Sequence, residues 1–195
     1  MSVNKVTYGF EQVHIAFKEE GSGSPTWNTP ESIPGAVRFT PSPEGDTSTF
    51  YADNSPYFVV TSNNGYTAEL EMALVPDEIL AEMLGWEIDE NGMLVEVADG
   101  KAKAFALMGQ VEGDQKNRRF VYYECVASRP AKEHATKTET LDPATDVLSL
   151  TISPIEIDGK KITKGTLELS DENKTVYNGF FEEVYTPDFG EGAGV

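Results

Sequence analysis

Residues 66–74 read Tyr-Thr-Ala-Glu-Leu-Glu-Met-Ala-Leu, and their alternation decides the fold class. Tyr66, Ala68, Leu70, Met72 and Leu74 share one face, while Thr67, Glu69, Glu71 and Ala73 share the other. Successive side chains of a strand point to opposite faces, so this is a half-buried strand. Working outward, Asn63-Asn64-Gly65 reads as a tight turn and Tyr57–Val60 as the strand before it. Further upstream, Ala36–Phe39 is a short strand, and Val13, Ile15 and Phe17 alternate with His14, Ala16 and Lys18. Downstream, Pro76-Asp77-Glu78 opens a short helix with Ile79, Leu80, Met83 and Leu84 on one side, and Gly85 stops it. Met93–Val97, Ala104–Val111, Arg119–Ala127 and Val147–Ser153 follow as strands, the middle two joined by a polar turn over Glu112–Asn117. Asp158-Gly159 ties Ile155-Glu156-Ile157 to Lys161-Ile162-Thr163 as a hairpin. Near the end the period changes. Ser170 is the expected N-cap of a second helix carrying Val176, Tyr177, Phe180, Phe181, Val184 and Tyr185, ended by Pro187.

The expectation is a mainly β fold, an antiparallel β-sandwich or β-barrel with one or two short α-helices. One domain spans 1–187, with long irregular loops at 21–35 and 41–56, and 188–195 is a flexible C-terminal tail. Those loops are rich in Gly, Ser, Pro, Thr and Asn, with Trp27 in the middle of the first. Both exceed the usual connection within a compact domain, which makes one of them, preferentially 41–56, a candidate arm reaching another copy. Its candidate contact residues are Glu44, Asp46, Phe50, Tyr51 and Asp53.

The chain has 195 residues, of which 39% are hydrophobic, enough for a sizeable core. Its 15 basic and 33 acidic residues leave a net charge of −18. Gripping a nucleic acid or an anionic membrane needs Lys and Arg to neutralise phosphates, so that surface argues against both. The charge is segregated: residues 1–100 hold a net −14, residues 101–164 a net +2 and residues 165–195 a net −6. An acidic face meeting a less acidic face of another copy is one reading, and such a heterologous contact closes into rings or runs on as filaments. A solvated acidic surface is the other. The lone Cys125 cannot form an intramolecular disulfide, no apolar run spans a bilayer, and MSVNKVTYGFEQ lacks an apolar signal core. A cytosol-like place of synthesis is the expectation.

Catalytic motifs are absent: there is no G-x-S-x-G, H-E-x-x-H or G-x-x-x-x-G-K-[ST]. His14 and His134 lie far apart, and Cys125 has no His beside it in sequence, so it reads as a small buried hydrophobe sharing parity with Val121, Tyr123 and Ala127. Glu87, Asp89, Asn91 and Gly92 match the start of a calcium loop. The bidentate Glu required at the twelfth position is replaced by Ala98, and a strand follows where a helix is needed, so an ordinary turn is favoured. Asn173-Lys174-Thr175 matches a glycosylation acceptor without a secretory route. Glu69 and Glu71 occupy the polar face of their strand and are candidates for a lumen or interface acidic face. No catalytic site, metal or cofactor is expected, and the chain is not read as an enzyme.

Several strings, in order, resemble a known family. They are Pro34-Gly35-Ala36-Val37, Phe50-Tyr51-Ala52-Asp53-Asn54, the Asn64-Gly65-Tyr66 turn, the Pro76 helix closed by Leu84-Gly85, and Lys103-Ala104-Phe105-Ala106-Leu107. Gly113-Asp114, Arg118-Arg119-Phe120-Val121-Tyr122-Tyr123 and Ser128-Arg129-Pro130 complete the series. From Val3 to Pro187 the chain resembles the phi13-type major tail proteins of long-tailed, non-contractile bacteriophages. The resemblance implies a phage tail tube fold similar to the type VI secretion tube, and a structural virion protein assembled in the bacterial cytoplasm. It further implies hexameric rings stacked around a tape measure protein, capped by tail terminator and distal tail proteins, with double-stranded DNA passing through unbound and no membrane contact. Physically, joined sheet edges would leave no strand edge free, and an acidic bore would let phosphates slide. The alternative is a β-sandwich module binding carbohydrate or a receptor, for which Trp27 and Trp86 would have to form a solvent-facing platform. A calcium-dependent enzyme or adhesin is the weakest alternative.

Overall fold

The computed structural model describes residues 9–21, 23–112, 116–130 and 144–189. Along them run β1 (Glu11–Phe17), β2 (Glu31–Ser32), β3 (Ala36–Glu44), β4 (Thr47–Ala52), β5 (Ser55–Thr61), β6 (Gly65–Met72) and helix α1 (Asp77–Leu84). Then come β7 (Glu87–Ile88), β8 (Leu94–Val95), β9 (Phe105–Gln110), β10 (Arg119–Ala127) and β11 (Asp146–Ile152). The chain continues through β12 (Ile155–Ile157), β13 (Lys160–Ile162), β14 (Lys164–Leu167) and helix α2 (Lys174–Asn178). The fold is mainly β, with antiparallel pairing and two short helices, as expected.

An eight-stranded sheet runs in the order β2-β1-β9-β10-β11-β6-β3, and β14 pairs with the first half of β10. The central pair β9–β10 is apolar on both faces, the signature of strands covered twice. Phe105 and Leu107 face the main core with Leu70, Met72, Leu80, Met83, Leu148 and Leu150. Ala106 and Met108 face a second core with Val121, Tyr123, Ile155, Ile157 and Phe180. A register shift between Tyr122 and Cys125 changes the parity of β10. Val121 and Tyr123 therefore face the second core while Cys125 and Ala127 face the first, which corrects the shared face expected for all four.

Helix α1 lays Ile79, Leu80, Ala81, Met83 and Leu84 on the main core and ends at Gly85, φ +71°. A Cβ there would sit 2.4 Å from the Lys101 carbonyl, so the glycine is required as well as preferred. The second helix is shorter than expected. It spans Lys174–Asn178 with Asn173, not Ser170, at its N-cap, and stops at Gly179. The apolar residues that suggested a longer helix instead spread over a sheet face: Phe180 enters the second core, and Phe181 stacks on His14 at 4.4 Å. A helix would have kept them on one narrow stripe.

Two further expectations are corrected between residues 41 and 65. Pro41–Pro56 is not an irregular loop. Strand β3 continues to Glu44, and β4–β5 form a separate two-stranded sheet turning at Asp53-Asn54, φ +52° and +57°. Positive φ at both central residues is what a tight hairpin turn demands, and Asp and Asn tolerate it. Asn63-Asn64-Gly65 is not a hairpin turn, because β5 pairs with β4 and β6 pairs with β3 and β11. It is the junction returning the chain to the sheet, and a Cβ on Gly65 would fall 1.9 Å from the Ile152 carbonyl. The tail from Gly190, His134 and the Gly113-Asp114 pair lie outside the described residues.

Deleting a buried leucine leaves a cavity in a close-packed core, so Leu107→Ala is expected to cost about 2–5 kcal/mol in urea unfolding. Asp46 and Ser62 are already joined, the Ser62 N–H donating to the Asp46 carbonyl at 2.9 Å. Replacing 47–61 by Asn-Gly is therefore expected to leave the urea midpoint nearly unchanged; a loss comparable to Leu107→Ala would show that the hairpin supports the core.

Candidate functional site

Two features stand apart from the packed body: one open polar sheet face and one projecting hairpin. The polar face is the outer side of β3–β6–β11. Register places Thr40 and Ser149 opposite Glu69, and Ser42 and Thr151 opposite Thr67. These side chains line a shallow, open concavity with Glu69 as its carboxylate. The reverse side of the same strands carries Ala68, Leu70, Leu148 and Leu150 into the main core, so the alternation read at 66–74 holds to Met72; the strand ends there, and Leu74, expected on the inward face, is exposed.

The two acids singled out on this strand have different surroundings. Glu69 is exposed. Glu71 is 19% exposed, accepts the Thr145 hydroxyl at 2.8 Å and pairs with Arg38 Nη2 at 3.1 Å. Glu44, at the end of β3, accepts the Thr67 hydroxyl at 2.9 Å. Carboxylates thus sit at the edge and centre of a hydroxyl-rich surface, and its one cation among the described residues, Arg38, is paired with Glu71.

The hairpin carries the candidate arm residues. Phe50, Tyr51, Tyr57 and Phe58 are 63%, 64%, 76% and 60% exposed, and Val59 and Val60 are about half exposed. Phe50 faces Phe58 across the pair, Ser48 faces Val60, and Thr49 faces Val59, so apolar groups occupy both sides. Asp46 lies at the base and Asp53 at the tip. Sequence reasoning placed Phe50 and Tyr51 here but read Tyr57–Val60 as an ordinary strand of the body. The missed signal is the Asp53-Asn54 turn, flanked almost symmetrically by Phe50-Tyr51 and Tyr57-Phe58.

The margins of the large sheet are blunted. On one side β2 has two residues. On the other, the Glu44 carbonyl faces β6 and accepts the Asn64 N–H at 2.9 Å, so Phe39, Pro41 and Pro43 turn their backbone groups to the free edge. Proline has no N–H, which leaves three acceptors and one donor over that stretch. Short strands and edge prolines are the usual defence against unspecific strand pairing.

The remaining candidates are accounted for by local bonding. Asp89 Oδ1 accepts the Asn91 and Met93 N–H groups, both at 2.8 Å, and these bonds hold its carboxyl below the usual range. This is an Asx-type turn between β7 and β8. Trp27 donates to the Tyr123 carbonyl at 3.2 Å and packs on the second core, while Trp86 packs on the first. The two indoles therefore form no common platform. Cys125 is fully buried, and that burial pushes its thiol far above the ordinary range, the opposite of an activated nucleophile. No His/Cys/Asp/Glu cluster fit for a metal occurs among the described residues.

No protein-family model matches the chain, and no curated protein does. Among solved structures, a chain of the cryo-EM structure of the anti-feeding prophage baseplate is similar. It has 10% identity and a TM-score of 0.46, over 86% of this chain and 97% of that one. A chain of the sheath–tube complex of an extracellular contractile injection system in its extended state is also similar. It has 8% identity and a TM-score of 0.46, over 81% of this chain and 89% of that one.

The two acids of β6 should separate in mutagenesis. Glu71→Ala strands Arg38 and Thr145 and is expected to cost about 1 kcal/mol in urea unfolding. Glu69→Ala is expected to stay within about 0.5 kcal/mol of the parent, as an exposed side chain does.

Proposed function

We propose that the chain is the tube subunit of a phage-type tail. It is a structural, non-enzymatic protein whose copies form hexameric rings stacked around a tape measure protein, completed by tail terminator and distal tail proteins. The observation that carries this reading is the β4–β5 hairpin, with six large apolar side chains held out in water and, among the described residues, no body beneath them. An isolated two-stranded hairpin is marginal in water, and a cluster of this kind marks a contact site. The hairpin is the arm, and it takes the role expected of residues 41–56. Because both sheet margins are blunted, side chains of the arm, more than strand addition along β3, join one copy to the next.

Fully burying each aromatic is worth about 1.5–3 kcal/mol. Four of them supply a sum comparable to the association cost of about 4–15 kcal/mol. One arm contact alone is therefore marginal. A copy that both gives and receives an arm is held twice, which favours a closed ring or a stack over a dimer.

In this reading the hydroxyl-rich face of β3–β6–β11 lines the bore. Thr40, Ser42, Thr67, Ser149 and Thr151 offer hydroxyls, Glu69 repels phosphate, and Arg38 is tied up by Glu71. Double-stranded DNA passes such a wall without the counterion release that would make it stick. The finished location is the virion tail, after assembly in the host cytoplasm.

Purified protein at high concentration is expected to show rings or tubes in negative-stain micrographs. Phe50→Ser with Phe58→Ser should abolish them while leaving the circular dichroism spectrum and urea midpoint intact. Tubes formed as readily by this variant would remove the arm from the assembly, and a strict monomer in the parent protein would overturn the proposal as a whole.

A further inference from the structure

The large sheet has a further edge, inside its outline. Strand β11 leaves β10 at Ile152, opposite Cys125, and β14 takes over on the same side from Lys164, opposite Tyr122. The strand beyond β11 is β6, which begins at Gly65 and pairs with no residue of β14. A notch is left beside β14.

The ladder decides which backbone groups face that notch. The Tyr123 N–H donates to the Thr163 carbonyl at 3.2 Å. Bonded and unbonded pairs alternate in an antiparallel ladder, so Gly165 and Leu167 also bond to β10, while Lys164 and Thr166 turn N–H and C=O into the notch. Among the described residues these groups meet no backbone partner, and both side chains are exposed. Unlike β3, β14 contains neither a proline nor a register shift, so nothing blunts it against an added strand.

The arm carries a matching edge. The Ser62 N–H donates to the Asp46 carbonyl at 2.9 Å, and the same alternation leaves Thr47 and Thr49 of β4, and Val59 and Thr61 of β5, with outward backbone groups. The two edges differ. Phe50 pairs with Phe58 and Tyr51 with Pro56, so Tyr57 is an extra residue in β5, and Pro56 has no N–H. Bulge and proline both spoil an edge for pairing. β4 has neither, and its Thr, Phe and Tyr residues suit a strand.

We infer that β4 of one copy's arm adds as a strand to the notch edge of β14 in another copy. This rests on the tube reading and supplies what apolar attraction lacks, a fixed register between arm and receiver. Burial of Phe50 and Phe58 is non-directional, whereas main-chain bonds between Thr47 or Thr49 and Lys164 or Thr166 align the two chains. The junction at Asn63-Asn64-Gly65 also gains a purpose. A straight continuation of β6 upstream of Gly65 would run beside β14; the chain instead carries β4–β5 off as a separate sheet and leaves the edge open.

Proline removes one N–H without disturbing the bonds that neighbouring residues make on the other side of the strand. In the full chain, Thr166→Pro and Thr49→Pro are each expected to slow assembly by about tenfold or more in light scattering, while Thr61→Pro, on the spoiled edge, stays within about threefold of the parent. Parental assembly of Thr166→Pro overturns the inference, and so does a Thr61→Pro variant as slow as Thr49→Pro. Residue-resolved hydrogen exchange of the parent needs no variant to fold. The Lys164 and Thr166 amides should be open in dilute subunits and protected in assembled material, with Gly165 and Leu167 protected in both. Amides of Lys164 and Thr166 still open in tubes overturn the inference; amides already protected in the dilute subunit show its own chain in the notch and overturn it too. In all these cases the parent forms tubes, so the tube reading survives. A parent that never assembles removes the tube reading, and the inference with it.

Discussion

A hairpin with apolar groups on both faces, and nothing among the described residues packed against either, is out of balance with the rest of this molecule. Elsewhere most large apolar residues are buried, and those that are exposed, such as Leu74 and Met93, stand singly. Phe105, Leu107, Met108, Leu70 and Leu148 are wholly inaccessible, yet Phe50, Tyr51, Tyr57 and Phe58 each expose more than half of their surface. Burial of such surface is the dominant favourable term in association as in folding. In the proposed tube, this hairpin is the part of the subunit that another copy covers.

What allows the arm to project is the security of the body behind it. The doubly covered pair β9–β10 holds two cores at once, α1 and β6 on one side and the β12–β13 hairpin with the post-α2 segment on the other. The blunted margins, two residues of β2 and the prolines of β3, limit which contacts are open to a neighbour. Apolar arm, blunt edges and acidic surface work together. In the proposed assembly the first attracts, the second restricts how copies meet, and the third keeps unassembled copies apart by mutual repulsion.

Much of the body was legible in the sequence. Period-two alternation located β1, β6 and β11, the apolar run from Arg119 to Ala127 located β10, and the Pro76–Gly85 punctuation located α1. The failures have specific causes. Pro41 and Pro43 read as loop residues because proline is rejected by interior strands, whereas an edge strand tolerates it where its missing N–H faces outward. Phe180, Phe181, Val184 and Tyr185 kept a helical spacing although a broad sheet face, not a helix stripe, was waiting for them. Tyr57–Val60 read as the strand before the Asn63-Asn64-Gly65 turn, because a run of apolar residues does not say which sheet it joins.

Amide hydrogen exchange of residues 47–61, followed as the protein passes from dilute solution to concentrated or polymerised material, tests the central claim most directly. In dilute solution this segment should exchange far faster than β9 and β10, and on assembly its protection should rise sharply while theirs stays as it was. A segment already protected in the lone subunit, or one that stays unprotected in assembled material, would contradict the account.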